Sequence, residues 1–222
     1  MTQVICTVDI VLLTIHQDRL HVALLRRAHA PFEHAYALPG GYIQAGTDAS
    51  AYDAAMRVIA DKTGIVPPYL EQLSTFSGPA RDPRGWSVSI AHYALVPHAL
   101  IAAAGRGEVQ LASLDELERG PALPFDHNAI VAQACARLRN KSQYSSLPCF
   151  LAGPTFTLPR LQHLYEVVLG EPLNKVSFRR KMAELDMLEA VEGEYGEGGA
   201  HRPAQLYRLK AAQGLHTLQR GL

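Results

Sequence analysis

Two adjacent glycines and the helix that follows them form the first feature of this sequence that could bind a small molecule. Gly40 and Gly41 allow the backbone to approach a phosphate group closely. Arg27, at the end of an apolar segment, and Arg57, within the helix, carry guanidinium groups that can pair with a diphosphate. Asp61 follows Arg57 by about one helical turn and completes this candidate ligand-binding set.

A polar turn, GPARDPRGW, supplies three further charged candidates for the same kind of site: Arg81, Asp82 and Arg84. For each arginine the alternative interpretation is a solvated surface charge. Asp126 precedes a helical pattern, and we interpret it as an N-cap, whose side chain satisfies a backbone amide at the start of a helix.

A second cluster of charged residues lies in the C-terminal third of the chain, where four basic residues occur without an intervening acid. In a helix, four apolar residues of this stretch fall on one face, the side expected to contact a core: Phe178, Met182, Leu185 and Leu188. The remaining faces carry side chains suited to base edges and phosphates of DNA, and a Gly-rich loop adds two more. The candidate DNA-binding residues are Asn174, Lys175, Ser177, Arg179, Arg180, Lys181, His201 and Arg202.

Within this set, each position suggests its own role. Asn174 is the expected N-cap, which would leave free backbone amides near a phosphate. Ser177 and Arg180 point away from the core and are candidates for reading bases, while Arg179 and Lys181 flank them and suit phosphates. The alternative is an amphipathic helix whose charged face is simply solvated.

Composition excludes several other classes of function. The ten histidines are scattered and the three cysteines show no metal-ligand spacing, so we expect no metal site. An odd number of cysteines argues against a disulfide framework and fits a reducing cytoplasm. No run of about 18 apolar residues exists, so no membrane span is expected. The formal net charge of zero does not by itself indicate nucleic-acid binding.

Apolar periodicity and turn residues indicate the elements that position these side chains. In the first part of the chain we predict strands over residues 4–15, 20–26, 69–76 and 86–96. Helices are predicted over residues 47–62, 113–117 and 128–140.

A polar break near residues 140–151 separates a second pattern from the first. Two helices, over residues 158–169 and 174–188, precede two β-prone segments, over residues 189–195 and 205–210. Helix, turn, helix and β-hairpin is the order of a winged helix. The sequence therefore predicts two domains, residues 1–147 and 148–222.

Residues 38–65, LPGGYIQAGTDASAYDAAMRVIADKTGI, resemble the Nudix box. In that motif a helix containing R-E-x-x-E-E-x-G places glutamates on one face, where they hold a divalent metal ion that activates water. The corresponding positions here are Val58, Asp61 and Lys62, and residues 38–65 contain no Glu. The loop before the helix also lacks its usual Glu, because Gly46 is followed by a threonine.

The resemblance implies an α/β fold, the Nudix α/β/α sandwich with a mixed sheet, followed here by a small α+β winged-helix domain. Because the acidic face is replaced, we expect a domain that binds a nucleotide without hydrolysing it. Catalytic residues, a metal ion and other cofactors are not expected.

The C-terminal part resembles the DNA-binding domain of the Nudix-related transcriptional regulators of NAD biosynthesis, the NrtR family. The phrases L-x-x-L-Y-E, S-F-R-R-K and R-P-A-x-L-Y-R match in order and spacing. The GPARDPRGW turn and residues 125–127 (FDH) also resemble stretches of ADP-ribose-directed Nudix proteins. The resemblance implies a homodimeric repressor of NAD biosynthesis or salvage genes, with palindromic operator DNA and ADP-ribose as partners.

Two alternatives remain open from the sequence. The first is an active Nudix pyrophosphatase whose appended domain only assembles or positions it. The second is a repressor of the same architecture that senses a sugar.

Overall fold

The computed structural model describes residues 4–104, 108–196 and 203–210. The chain divides into two compact units, residues 1–136 and 137–222. The predicted boundary between residues 147 and 148 lies further along the chain and stays a prediction. Within the described ranges, no helix combines the length and apolar character needed to cross a bilayer.

Within its described residues, the first unit contains seven strands and most of the helices. Its elements, in chain order, are β1 (Ile5–His16), β2 (Arg19–Arg26), β3 (Tyr36–Ala37), β4 (Gly40–Tyr42), α1 (Ala51–Thr63), β5 (Tyr69–Gly78), β6 (Ser87–Leu95), α2 (His98–Ala102), β7 (Val109–Ser113), α3 (Leu114–Arg119) and α4 (His127–Ser142), the last of which continues into the second unit.

These strands form one mixed sheet, as the predicted fold requires. Its order is β3-β2-β1-β6-β5, with β4 also paired to β1 and β7 to β2. β1 and β6 run parallel, whereas the other pairs are antiparallel. β1 is buried on both faces, since its residues from Thr7 to Ile15 are all buried. Its side chains therefore form the centre of the unit.

Helix α1 packs on this sheet through the apolar face that the sequence predicted. Ala54, Ala55, Val58 and Ile59 are buried in the same core cluster as the central residues of β1. The helix ends at Gly64, whose φ of 74° is the left-handed conformation typical of a helix C-cap. It begins at Ala51, later than predicted, because the preceding residues form a separate turn.

The second unit contains the short elements of a winged helix. They are a 3-10 helix (Leu147–Leu151), β8 (Phe156–Thr157), α5 (Leu158–Leu169), α6 (Lys175–Glu184), β9 (Leu188–Tyr195) and β10 (Gln205–Leu209). The strands form a small sheet in the order β8-β10-β9. The sequence did not predict β8, because a strand of two residues has no recognisable period.

The core of this unit fixes α6 against α5. Phe178 and Met182 are buried, and the Phe178 ring lies edge-on to Tyr165 with centroids 5.4 Å apart. The prediction that α6 extends to Leu188 was wrong. The helix ends at Glu184, and Asp186 turns the chain with a φ of 46°, so Leu188 begins β9 instead.

Phe178→Ala should destabilise the second unit by about 3–5 kcal/mol, because it removes a buried ring and leaves a cavity. Val176 lies on the same helix but is 75% exposed, so Val176→Ala should change stability by less than about 0.5 kcal/mol. Hydrogen–deuterium exchange of α5 and α6 in the full chain measures the difference. Equal protection in both variants would contradict the assigned core.

Candidate functional site

A cleft of about 740 Å³ opens in the first unit beside the central strand β1. Small-molecule sites occupy roughly 300–1,000 Å³, so a nucleotide-sized ligand fits this volume. All eight residues that the sequence predicted to bind a ligand line this cleft: Arg27, Gly40, Gly41, Arg57, Asp61, Arg81, Asp82 and Arg84. The structure thus brings together segments that are far apart in the chain.

A buried carboxylate on β1 forms part of the cleft floor. Asp9 is 8% exposed, and its oxygens lie 3.4 Å from Nη2 of Arg81 and 3.6 Å from Nε2 of His127. Burial raises the pKa of Asp9, but the polar contact with His127 and the charge of Arg81 outweigh burial. The pKa of Asp9 therefore lies below its usual value, and the group is an anion.

The guanidinium of Arg81 is bound on all its nitrogens. Nε and Nη2 donate to the two carboxylate oxygens of Asp126 at 2.9 and 2.8 Å, and Nη1 donates to the Ser87 hydroxyl at 3.2 Å. The side chain is only 7% exposed. Bidentate carboxylate pairing of this kind fixes both partners. Arg81 therefore positions Asp9 in the floor of the cleft and joins it to Asp126.

Asp126 occupies the N-cap position of α4 that the sequence predicted. It directly precedes α4, and its carbonyl oxygen accepts a hydrogen bond from the Ile130 amide. Its carboxylate, however, is the bidentate partner of Arg81. The residue thus joins the start of the helix to the cleft floor.

The two neighbours of Asp126 also face the cleft. Nδ1 of His127 accepts a hydrogen bond from the Leu38 amide at 3.2 Å, so the ring proton lies on Nε2, which faces Asp9. The Phe125 ring lies under the guanidinium of Arg27, whose central carbon is 4.8 Å from the ring centroid. This is a cation–π geometry. Phe125 and His127 therefore belong to the candidate site, and Asp126 supports it through Arg81.

Arg57 holds the loop before its helix. Its Nε and Nη2 donate to the carboxylate of Asp48, both at 2.7 Å, and Nη2 also donates to the Tyr42 carbonyl at 3.0 Å. The Arg57 hydrogen bonds lower the pKa of Asp48 to about 2, with a further contribution from the Gln44 amide. The loop therefore does contain a carboxylate, Asp48, two residues after Gly46.

Arg84 is bound in the same way by its near neighbour. Its Nε and Nη2 donate to the oxygens of Asp82 at 3.0 and 2.6 Å, and Asp82 is almost fully buried. Nη1 donates to the hydroxyl of Tyr42, whose ring lies 5.5 Å from the guanidinium carbon. Three of the four predicted arginines are thus each held bidentately by an aspartate.

Two cations of the cleft donate to backbone carbonyls instead. Nε of Arg27 donates to the Pro31 carbonyl at 2.8 Å, and Nζ of Lys62 donates to the Gly40 carbonyl. Burial and the charge of Arg27 lower the pKa of Lys62, which Asp9 partly opposes. Like charges in one cleft favour an anion between them. Arg27 and Lys62 are therefore the cations best placed for an anionic ligand.

The Gly40-Gly41 pair is required by its surroundings. A Cβ at Gly40 would lie 2.1 Å from an Asp9 oxygen, and one at Gly41 would lie 2.9 Å from Cγ2 of Val58. Side chains are therefore excluded at both positions, and the bare backbone lines the cleft. This supports the predicted close approach to a ligand.

The three positions at which a Nudix box carries glutamates for divalent metal hold one carboxylate here. Val58 is an apolar residue packed beside Gly41, and Asp61 is largely exposed, with an oxygen 3.9 Å from Nη1 of Arg57. Lys62 adds a cation to the same face. Over the described ranges, no group of three or more His, Cys, Asp or Glu residues is arranged to hold a metal ion.

The candidate DNA-binding residues of α6 lie on its accessible faces. Lys175, Ser177, Arg179 and Arg180 are exposed, while Lys181 is half-buried. Arg180 also lies 3.7 Å from Glu184 one turn later, an exposed ion pair that DNA could displace. Of the predicted set, His201 and Arg202 lie outside the described residues.

Asn174 is the N-cap of α6, as predicted, but its own side chain binds backbone amides at the start of that helix. Its side-chain oxygen accepts from the amides of Val176 and Ser177, both at 3.0 Å. The expectation that these amides are free for a phosphate was therefore wrong in this conformation. The exposed basic side chains remain the better phosphate partners.

Sequence reasoning missed several residues of the cleft. Asp9 did carry a signal, because it is the one charged residue within the apolar run of β1. Tyr42, Phe125 and His127 line the cleft as well, but their roles depend on neighbours distant in the chain. From the sequence alone, Lys62 is only a cation at the position of a metal ligand.

Comparison with known proteins matches both units. A family model described as the NrtR DNA-binding winged helix domain matches residues 148–209, and one for the NUDIX domain matches residues 7–133. The "ADPR responsive transcriptional repressor NtrR" of Acinetobacter baylyi is 39% identical over 208 residues, which cover 91% of this chain and 81% of that protein.

Two solved structures from Shewanella oneidensis are also similar. NrtR complexed with a 27mer DNA is 39% identical, with a TM-score of 0.87 over 98% of this chain and 99% of that chain. The NUDIX domain of NrtR complexed with ADP ribose is 38% identical, with a TM-score of 0.56 over 62% of this chain and 90% of that chain. These similarities confirm the predicted fold class. The chain belongs to the NrtR family, with a Nudix domain followed by a DNA-binding winged helix domain.

Proposed function

We propose that this protein is a transcriptional repressor of NAD biosynthesis or salvage genes that binds ADP-ribose, or a related nucleotide, in the Nudix cleft. The observation that carries the effector proposal is the division of cations in that cleft. Asp48, Asp126 and Asp82 hold three arginines, whereas Arg27 and Lys62 donate to carbonyl oxygens. An anion offers those two cations stronger, charge-assisted hydrogen bonds.

The cleft also offers suitable contacts for the rest of a nucleotide. The bare backbone of Gly40 and Gly41 lies beside the two cations and suits a diphosphate. Tyr42 is 54% exposed at the cleft wall, and Phe125 lies under Arg27. Aromatic faces of this kind suit a base or a ribose. The related repressor's name and the ADP-ribose complex support ADP-ribose as the ligand.

The DNA-binding part of the proposal concerns the exposed face of α6. The Shewanella relative was crystallised with a 27mer DNA, and the winged-helix family model covers residues 148–209 here. We propose a cytoplasmic homodimer whose two winged helices bind a palindromic operator. Half-sites about 34–36 Å apart, or multiples of that spacing, would suit such a dimer.

The same proposal holds that the Nudix domain does not hydrolyse its ligand. Hydrolysis in this fold needs carboxylates that bind divalent metal and so activate water. Here Val58 contributes no oxygen, and Lys62 adds positive charge beside Asp61. Ligand binding without turnover suits a sensor, since the signal persists as long as the metabolite does.

With Mg²⁺ or Mn²⁺ present, the protein should therefore release negligible AMP from ADP-ribose. Chromatographic detection of AMP over hours measures residual turnover. A metal-dependent rate on the order of 1 s⁻¹ or more, typical of enzymes, would favour the pyrophosphatase alternative.

Two arginines of α6 should differ in their effect on DNA binding. Arg180→Ala should weaken specific operator binding by about 1–3 kcal/mol and relax specificity, because Arg180 is the candidate for reading a base edge. Arg179→Ala should weaken all sequences alike and flatten the salt dependence, as expected for a phosphate contact. Lys181→Ala should likewise weaken all sequences alike and flatten the salt dependence.

Fluorescence anisotropy with the upstream DNA of the protein's own operon and with scrambled DNA separates these effects. If wild-type protein binds no such fragment at moderate salt, the repressor proposal fails. Equal losses of affinity for Arg180→Ala and Arg179→Ala, on the operator and on scrambled DNA alike, would contradict the separate roles of base reading and phosphate contact.

ADP-ribose should lower operator affinity by about 1–3 kcal/mol, and operator DNA should weaken ADP-ribose binding by the same factor. Arg27→Met should abolish most of this response by removing a cation from the proposed site. Arg81→Ala is a less useful test, because it would leave the carboxylates of Asp9 and Asp126 without their partner.

Calorimetric titration of ADP-ribose, with and without operator, measures both directions of the coupling. Arg19 lies at the other end of β2, is exposed and is not among the residues that line the cleft, so Arg19→Met serves as the matched variant. Equal ADP-ribose affinity with and without operator would show that ADP-ribose is not the signal. The sugar-sensing alternative would then be preferred.

A further inference from the structure

Lys62 has an unusual position for the Nudix-box helix. It follows Asp61 on α1, and its ammonium group donates to the carbonyl oxygen of Gly40 across the cleft. That carbonyl belongs to the same Gly-Gly segment that suits a phosphate. A lysine therefore already binds a backbone oxygen that could otherwise be available to a metal ion.

The remaining groups nearby do not provide an alternative metal site. The Val58 side chain would contact any Cβ added at Gly41, so apolar atoms fill that part of the helix face. Asp61 is the one carboxylate among the three matched motif positions, and Arg57 lies within ion-pair distance of it. A divalent ion beside Lys62 would experience repulsion between like charges.

The charge that metal would supply is instead provided by the chain. Arg27 and Lys62 are close enough for the charge of Arg27 to lower the pKa of Lys62. Both already donate to carbonyl oxygens at the cleft. A diphosphate between them would relieve their mutual repulsion and replace neutral acceptors with charged ones.

We propose that Lys62 and Arg27 serve as the counter-charge for the ligand's diphosphate, so that this cleft recognises its ligand independently of divalent metal. The inference rests on the proposed function for the identity of the ligand as a nucleoside diphosphate derivative. Its consequence is that the regulator responds to the metabolite alone, and not to the concentration of its magnesium complex.

The test compares ADP-ribose binding to the full chain in EDTA and in millimolar MgCl₂ by calorimetry. For the wild type, the dissociation constants should agree within about twofold, because protein side chains supply the charge. Lys62→Met should weaken binding roughly tenfold or more in both buffers, since it removes a hydrogen bond from a charged group. Lys62→Arg keeps the cation and should bind with metal-independent affinity.

Lys62→Glu reverses the side-chain charge at the same exposed position. It places a second carboxylate beside Asp61, so its ADP-ribose binding should become dependent on Mg²⁺. Electron paramagnetic resonance of Mn²⁺, measured without ADP-ribose, gives a second readout. Wild type should leave the Mn²⁺ signal as in buffer, whereas Lys62→Glu should bind Mn²⁺.

The outcomes separate this inference from the proposed function. Wild-type ADP-ribose binding that requires Mg²⁺ would overturn the inference and leave the effector proposal intact. Stoichiometric Mn²⁺ binding by the wild type would overturn it whatever the ligand is. Absence of ADP-ribose binding in both buffers would refute the proposed effector, and with it the assignment of Lys62 and Arg27 to its diphosphate.

Discussion

The charge network around Asp9 is the interaction on which the cleft depends. A carboxylate in the central strand of a sheet is costly to bury unless it is paired and hydrogen-bonded. Arg81 and His127 meet this need from the turn after β5 and from the start of α4. Arg81 in turn binds Asp126. Breaking a buried pair of this kind costs about 3–5 kcal/mol, so the network fixes the relative positions of these segments.

The same principle of pairing decides which charges can act on a ligand. A motif-based prediction treats every arginine near the Gly-Gly pair as a phosphate ligand. In the structure, the aspartates of the turn, the loop and the start of α4 already neutralise three of them. Those pairs maintain the shape of the cleft. The cations bound only to carbonyl oxygens have more to gain from an incoming anion, which is why Arg27 and Lys62 become the main candidates.

Local patterns predicted most of the fold, because apolar periodicity and turn residues are local properties of a sequence. The predicted helix ends were wrong where a side-chain contact or a backbone conformation overrides the local pattern. The Asp48–Arg57 pair forms a turn ahead of α1, and the positive φ of Asp186 ends α6. At the site, residue types near known motifs identified the lining of the cleft. The pairing partners could not be predicted, since Arg81 and Asp126 are 45 residues apart in sequence.

Helix α4 gives the proposed sensor a direct covalent path from ligand to DNA-binding unit. It starts at His127, which faces Asp9, and its last residue, Ser142, belongs to the second unit. Three residues further on, the carbonyl of Ser145 accepts the buried hydroxyl hydrogen bond of Tyr165, which packs against Phe178 of α6. A ligand changes DNA affinity only if its interaction energy differs between two states of the protein. An anion held by Arg27 and Lys62 would add negative charge near Asp9, and hence at the head of α4. The electrostatic energy of the network around Asp9 would then depend on the position of the first turn of α4. Two states of the protein that differ in this position would bind the ligand with different affinities, as a sensor requires.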